Sequence, residues 1–267
     1  MAAFTGKTIV LTGASTGIGR ALSLELARQQ PRLVLAARDA ERLEAVAAEC
    51  RRLGAQAIAV KADVTLPEDC GRVVARAVAE FGGIDVLVNN AGIGMIARFD
   101  EIRDLSVFER ILRVNYLGAV YMTHHALAHL KRSRGLIVAV ASLTGYTGVP
   151  TRTGYAASKH AMVGFFDSLR IELAGGGVDV TIVAPDFVVS EIHRRSFGPD
   201  GRPLGTTPMK EAEIMTADEC ARRIVKAMQR RQRLAVLSLR GRIGRYVRLF
   251  APGLIDRIAG KAVREGK

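Results

Sequence analysis

Short apolar runs alternate with longer amphipathic ones along most of this 267-residue chain, and this alternation constrains the fold more than any single motif. The short runs are Lys7–Thr12, Leu33–Ala37, Ala57–Val60, Asp85–Val88, Leu136–Ala141 and Val178–Ala184. Between them lie helical periodicities that end at Ala27, then span Ala40–Leu53, Pro67–Phe81, Ser106–Lys131 and Tyr155–Ala174. Strands joined through helices must run parallel, because a crossover of that length returns the chain to the same end of the sheet. An apolar strand without alternation is covered on both faces, so helices lie on either side. Thr216–Arg230 adds a helix and Leu234–Leu239 a seventh strand, which makes an α/β chain.

Composition bounds the rest. Nearly half the residues are apolar, enough for a sizeable core, and no repeat or compositional break precedes the C-terminal tail. One domain over residues 1–239 is therefore expected. No apolar run approaches the ~20 residues that cross a bilayer. The N-terminus lacks a basic region and a cleavage site, so no secretory leader is expected. Cys50, Cys70 and Cys220 are scattered and odd in number, which suits free thiols in a reducing, cytoplasmic setting rather than a disulfide frame or a metal site. His125 and His129 lie one helical turn apart, but no third ligand accompanies them, so no metal is expected.

Chemistry gathers just after the strands, where ligands bind in open α/β sheets. The first strand leads into Thr12-Gly13-Ala14-Ser15-Thr16-Gly17-Ile18-Gly19 and then a helix. Glycines let backbone approach a pyrophosphate, and the helix start offers unpaired N–H groups. The spacing is GxxxGxG rather than the generic GxGxxG, and a ligand-free turn is the plain alternative. Arg38 follows the second strand, where an acid would take a ribose 2′-hydroxyl and an arginine suits a 2′-phosphate. That favours NADP(H) over NAD(H), the alternative being a solvated arginine beside a helix-capping Asp39. Tyr155 and Lys159 are four apart, hence on one helix face. An ammonium beside a phenol favours the phenolate, and the pair can then exchange a proton with a substrate oxygen.

Together these stretches resemble the short-chain dehydrogenase/reductase family over about Thr5 to Leu239, in order and spacing. The resemblance rests on the glycine loop, Asp63-Val64, Asn89-Asn90-Ala91-Gly92, and Asn115, Ser142, Tyr155 and Lys159. It implies a Rossmann-like, three-layer fold on a seven-stranded parallel sheet, and hydride transfer between a nicotinamide and a carbon bearing oxygen. Tyr155 would exchange the proton, Ser142 hold the substrate oxygen, Lys159 lower the Tyr155 pKa and bind the cofactor ribose, and Asn115 support a water relay to Lys159. Gly13, Ser15, Thr16, Gly17, Ile18, Gly19, Arg38, Asp63, Val64, Asn90, Ala91, Gly92, Pro185, Val188 and Ser190 would line the cofactor, with Tyr155 and Lys159. The family's usual Pro-Gly after the sixth strand is here Pro185-Asp186, and the side chain of Asp186 is expected to face solvent. Pairing as a homodimer or homotetramer, through the helices holding Asn115 and Tyr155, is implied by the resemblance alone. A non-catalytic NADP-binding scaffold of the same fold is the alternative, disfavoured because it needs none of Ser142, Tyr155 and Lys159.

Residues 191–215 lose periodicity and are rich in Gly and Pro, Pro208 among them, as expected of a substrate lid. Met95, Ile96, Leu143, Tyr146, Val149, Phe187, Val189, Ile192 and Phe197 then suggest an apolar pocket for a hydrophobic ketone, aldehyde or secondary alcohol. The formal charge of +13 is concentrated at the C-terminus: Arg222–Lys267 carry 14 basic and 2 acidic residues. Residues 240–267 read as two basic amphipathic helices around Pro252-Gly253, resembling the C-terminal helices of hydroxysteroid- and retinol-type members. Packing on the domain or a subunit is one expectation for them, and docking on an anionic membrane surface the other. Nucleic acid is disfavoured, since no binding module or stacking pattern accompanies the charge.

Overall fold

The computed structural model describes residues 3–207, 209 and 211–265; Pro208 and the chain end at Lys267 lie outside them. Seven strands form one sheet: β1 Thr8–Thr12, β2 Arg32–Ala37, β3 Gln56–Lys61, β4 Val86–Asn89, β5 Leu136–Val140, β6 Asp179–Ala184 and β7 Leu234–Val236. All neighbours pair in parallel, in the order β3-β2-β1-β4-β5-β6-β7. The register sets Ile9 opposite Leu33 on one side and Val86 on the other. Chain order reverses between β1 and β4, so a crevice opens at their carboxyl ends.

Among the described residues ten α-helices cover the sheet and its carboxyl edge: α1 Gly17–Ala27, α2 Ala40–Arg52, α3 Pro67–Phe81, α4 Ser106–Leu112, α5 Gly118–Ser133, α6 Thr153–Glu172, the single turn α7 Ile192–Arg195, α8 Ala217–Gln229, α9 Leu239–Phe250 and α10 Pro252–Arg264. Side chains alternate across a strand, and the core divides accordingly. Ile9 and Leu11 pack with Leu22, Leu26, Leu43, Ile224 and Met228 of α1, α2 and α8. Val10 faces the opposite layer, with Val73, Met122, Leu130 and Phe166 of α3, α5 and α6. Local signals fix the ends: Asp39 accepts from the Arg42 N–H to start α2, and Gly82 in the left-handed region (φ 81°) ends α3.

One expectation is corrected and two are given detail. The helical region over Ser106–Lys131 is unbroken, with a π-helical turn at Arg113–Leu117 joining α4 to α5. β7 stops at Val236 rather than Leu239, since Ser238 accepts from the Gly241 N–H and starts α9. The lid is ordered by backbone bonds: Phe197 N–H donates to Gly94 (2.9 Å), Ile96 N–H to Phe197 (2.9 Å) and Val189 N–H to Met215 (2.8 Å).

Candidate active site

The glycine turn is shaped by what lies against it. A Cβ on Gly13 would sit 2.8 Å from the Ala91 Cα, and one on Gly19 only 2.0 Å from the Gly13 carbonyl oxygen. Gly17 adopts φ 53° beside Ser190, whose Cβ would be 3.2 Å from an added Cβ. Thr12 ties this turn to the end of β4: its Oγ1 accepts from the N–H groups of Asn90 (3.0 Å) and Ala91 (3.1 Å). Asn90 Nδ2 in turn donates to the Thr12 carbonyl at 2.9 Å. A bare backbone cradle at a helix start is the shape a dinucleotide pyrophosphate requires, so these residues fit the implied cofactor.

From this cradle a cleft of about 1280 Å³ runs across the carboxyl ends of the strands. Every residue expected to line the cofactor borders it, from Gly13, Ser15, Thr16, Gly17, Ile18 and Gly19 through Arg38, Asp63, Val64, Asn90, Ala91 and Gly92 to Pro185, Val188 and Ser190. Arg38 is exposed at the end of β2 and is joined there by Arg42, which borders the same cleft and pairs with Glu191 at 3.3 Å. The carboxylate of Asp63 accepts from both the N–H and the hydroxyl of Thr65, each at 2.9 Å.

Ser142, Tyr155 and Lys159 converge on the cleft from the end of β5 and the first turns of α6. Ser142 accepts from the Thr144 N–H at 3.2 Å. Lys159 is buried, donates to the Val140 carbonyl at 2.9 Å, and sits 5.8 Å from the centre of the Tyr155 ring. Burial lowers its pKa to about 8. The same burial pushes the Tyr155 phenol upward, and the groups that oppose this are the hydrogen bond with Ser142 and the charge of Arg152. Lys159, expected to lower it, turns its ammonium to a backbone carbonyl here. Asn115 stands behind the site. The π turn aims its side chain at the loop after β4, where Oδ1 accepts from Ile93 N–H (2.8 Å). Its Nδ2 donates to the Ile93 carbonyl and to Ser158 (each 2.9 Å), so it braces the site from behind without a bond to Lys159.

One feature escaped the sequence, and one open expectation is resolved. Asp186 does not face solvent; its side chain is 9% exposed and accepts from Ser238 (2.7 Å), Arg240 (2.9 Å) and the Phe187 N–H (2.9 Å). Burial alone would raise its pKa, but these hydrogen bonds and the Arg240 charge hold it below the usual carboxylate range. Asp186 thereby latches the start of α9 beside the cleft. The second point follows from the first: α9 and α10 form a wall of the cleft through Ile243, Val247, Leu254, Ile255 and Ile258. Of the expected pocket residues, Leu143, Tyr146, Val149, Phe187, Ile192 and Phe197 line the cleft. Met95 is instead buried, with its sulfur accepting from the Gly154 N–H at 3.1 Å. The pairing of an unusual Asp186 with a downstream Ser-x-Arg was the available signal, but nothing local joins them.

The sequence that builds this glycine cradle and Ser-Tyr-Lys cluster also matches a family profile. The profile of the short chain dehydrogenases matches residues 7–199. The chain belongs to this family. This short-chain dehydrogenase is 36% identical over 258 residues to an 11-beta-hydroxysteroid dehydrogenase of Pinus massoniana, covering 94% of this chain and 72% of the relative. Among solved structures it resembles a short chain dehydrogenase/reductase from Burkholderia phymatum in complex with NAD, at TM-score 0.83 and 26% identity, over 95% of this chain and 96% of that one. It also resembles an alcohol dehydrogenase from the archaeon Thermococcus sibiricus complexed with 5-hydroxy-NADP, at TM-score 0.74 and 29% identity, over 87% of this chain and 95% of that one. The chain is therefore an oxidoreductase of the kind that acts on hydroxyl and carbonyl groups.

Proposed function

We propose that this dehydrogenase transfers a hydride between NADP(H), in preference to NAD(H), and the carbon of a hydrophobic ketone, aldehyde or secondary alcohol. The observation that carries this is the continuous cleft from the glycine cradle and Arg38 to Tyr155. When bound, the nicotinamide supplies or accepts the hydride. Gly13 to Gly19 would hold its pyrophosphate, Arg38 with Arg42 its 2′-phosphate, Lys159 its ribose and Ser190 its carboxamide. Ser142 hydrogen-bonds the substrate oxygen, and Tyr155 gives it a proton in reduction or removes one in oxidation. A phenol pushed upward by burial is protonated at neutral pH, which suits reduction. Apolar side chains from α9 and α10 exclude water around the substrate carbon.

Tyr155→Phe is expected to lower kcat at least a hundredfold with NADPH binding retained. Arg38→Asp is expected to move the ratio of kcat/KM values from NADPH toward NADH by tenfold or more. Equal use of both cofactors by the unaltered chain would sink the NADP assignment. NADPH binding without turnover across steroids, retinoids, acyl ketones and quinones would favour the scaffold reading instead.

The tail supports a peripheral site of action. No helix among the described residues is long and apolar enough to cross a membrane. Yet Tyr246, Leu249 and Phe250 remain exposed beside Arg242, Arg245, Arg248, Arg257 and Lys261. Apolar residues flanked by cations suit an anionic bilayer surface, from which a hydrophobic substrate would enter. The chain then works in the cytoplasm, at the membrane face, as a homodimer or homotetramer paired through α5 and α6. Flotation with anionic vesicles at low salt tests the first point and light scattering the second; protein left at the bottom, or a monomer, would count against each.

A further inference from the structure

Arg152 stands three residues before Tyr155, at the start of α6, and its charge opposes the rise of the phenol pKa. Its side chain borders the cleft, yet the residue is only 6% exposed. Among the described residues it meets no carboxylate. Nη2 lies 3.6 Å from the sulfur of Met209, a weak acceptor, the guanidinium lies 5.3 Å from the centre of the Phe187 ring, and Nε has no partner. The other arginines of the cleft are unlike it. Arg42 and Arg195 share Glu191, Arg240 has Asp186, and Arg38 and Arg245 reach solvent. A guanidinium keeps its proton in a protein, and a buried charge without a counter-charge is costly. No carboxylate among the described residues completes this one.

The loop before it is held in a conformation that packing alone does not favour. Thr151 adopts φ 64°, a genuine outlier for a β-branched residue, and its carbonyl is clamped by the Ala97 N–H at 2.9 Å. His193, also buried, borders the same part of the cleft, its ring 6.5 Å from that of Phe187. Its Nε2–H faces the Val188 carbonyl at 3.2 Å, which leaves Nδ1 as a second buried polar atom without a partner. Two unfilled polar atoms beside an apolar wall describe a pocket for an amphiphile with a polar end.

We propose that Arg152 binds a carboxylate carried by the substrate, within a few bonds of the carbon that Tyr155 serves. This rests on the hydride-transfer reading and narrows it: the substrate is an apolar keto acid or hydroxy acid. The i, i+3 relation of Arg152 and Tyr155 keeps their Cβ atoms about one turn apart, so the acid lies near the carbonyl rather than at the far end of the molecule. A planar guanidinium takes a carboxylate through two parallel hydrogen bonds.

The test uses phenyl keto acids with one to four methylene groups between carbonyl and carboxylate, each beside its methyl ester. With NADPH, the unaltered enzyme is expected to reduce at least one acid with kcat/KM tenfold or more above its ester. Arg152→Met should bring that ratio near one, and Arg152→Lys should keep part of it. Calorimetric titration of each acid and ester into the NADP+ complex reads binding without turnover, with melting temperature as the folding control. If Arg152→Met does not fold, Arg152→Gln takes its place. Acids and esters that bind and react alike would overturn the subsite and leave the hydride reading standing. Acids that bind tightly but are never reduced would do the reverse.

Discussion

Burial acts in opposite senses on the two side chains of the Tyr155–Lys159 pair, raising the phenol and lowering the ammonium to about 8. Lys159 therefore loses its proton well below the usual lysine range. The value of kcat/KM for NADPH, which reports the free enzyme, is expected to fall above about pH 8, and Lys159→Arg should move that limb upward. A flat profile to pH 10 would show that the ammonium is not needed for cofactor capture. His193 has the matching effect on stability. Burial, with the Arg152 charge, lowers its pKa to about 4 against an ordinary 6.5. Its folded value lies below the unfolded one, so its contribution is present above pH 6.5 and is lost as pH falls toward 4. The full loss is on the order of 3 kcal/mol. Thermal melts of His193→Gln should accordingly show a shallower decline between pH 6.5 and 4 than the unaltered chain.

At the scale of elements, the carboxyl end of β6 governs how α9 is set. Asp186→Gly removes the acceptor for Ser238 and Arg240. Because Arg240 is more than half exposed, the stability cost is expected to be about 2 kcal/mol rather than that of a fully buried pair. The apolar wall should loosen, raising KM for a hydrophobic ketone about tenfold with kcat within tenfold of normal. A hundredfold fall in kcat would instead place Asp186 among the groups acting on the reacting atoms. The π turn at Arg113–Leu117 is a second element-scale device. One extra residue per turn re-aims a side chain, and here it is Asn115 that is turned inward. Its bonds to Ile93 and Ser158 hold the loop after β4 against α6. A single π turn of 5 residues barely shifts the apolar periodicity, so it was not legible beforehand.

For the whole molecule, the tail joins the cleft to the surface. Ending the chain after Leu237 would remove α9 and α10 while leaving the sheet and the glycine cradle intact. NADPH affinity is expected to change less than threefold, KM for a hydrophobic ketone to rise tenfold or more, and vesicle binding to disappear. Loss of NADPH binding would show instead that the tail supports the cofactor half. Much of this molecule was written locally. Strand and helix order, the glycine turn after β1, the capping of α2, and the Tyr155-to-Lys159 spacing all depend on neighbours a few residues apart, where hydrophobic period and backbone freedom act directly. The partner of Asp186 lies 52 and 54 residues away, and the isolation of Arg152 is a property of everything that packs around it. Such relations depend on which surfaces meet once seven strands and ten helices are assembled, so only the tertiary structure could decide them.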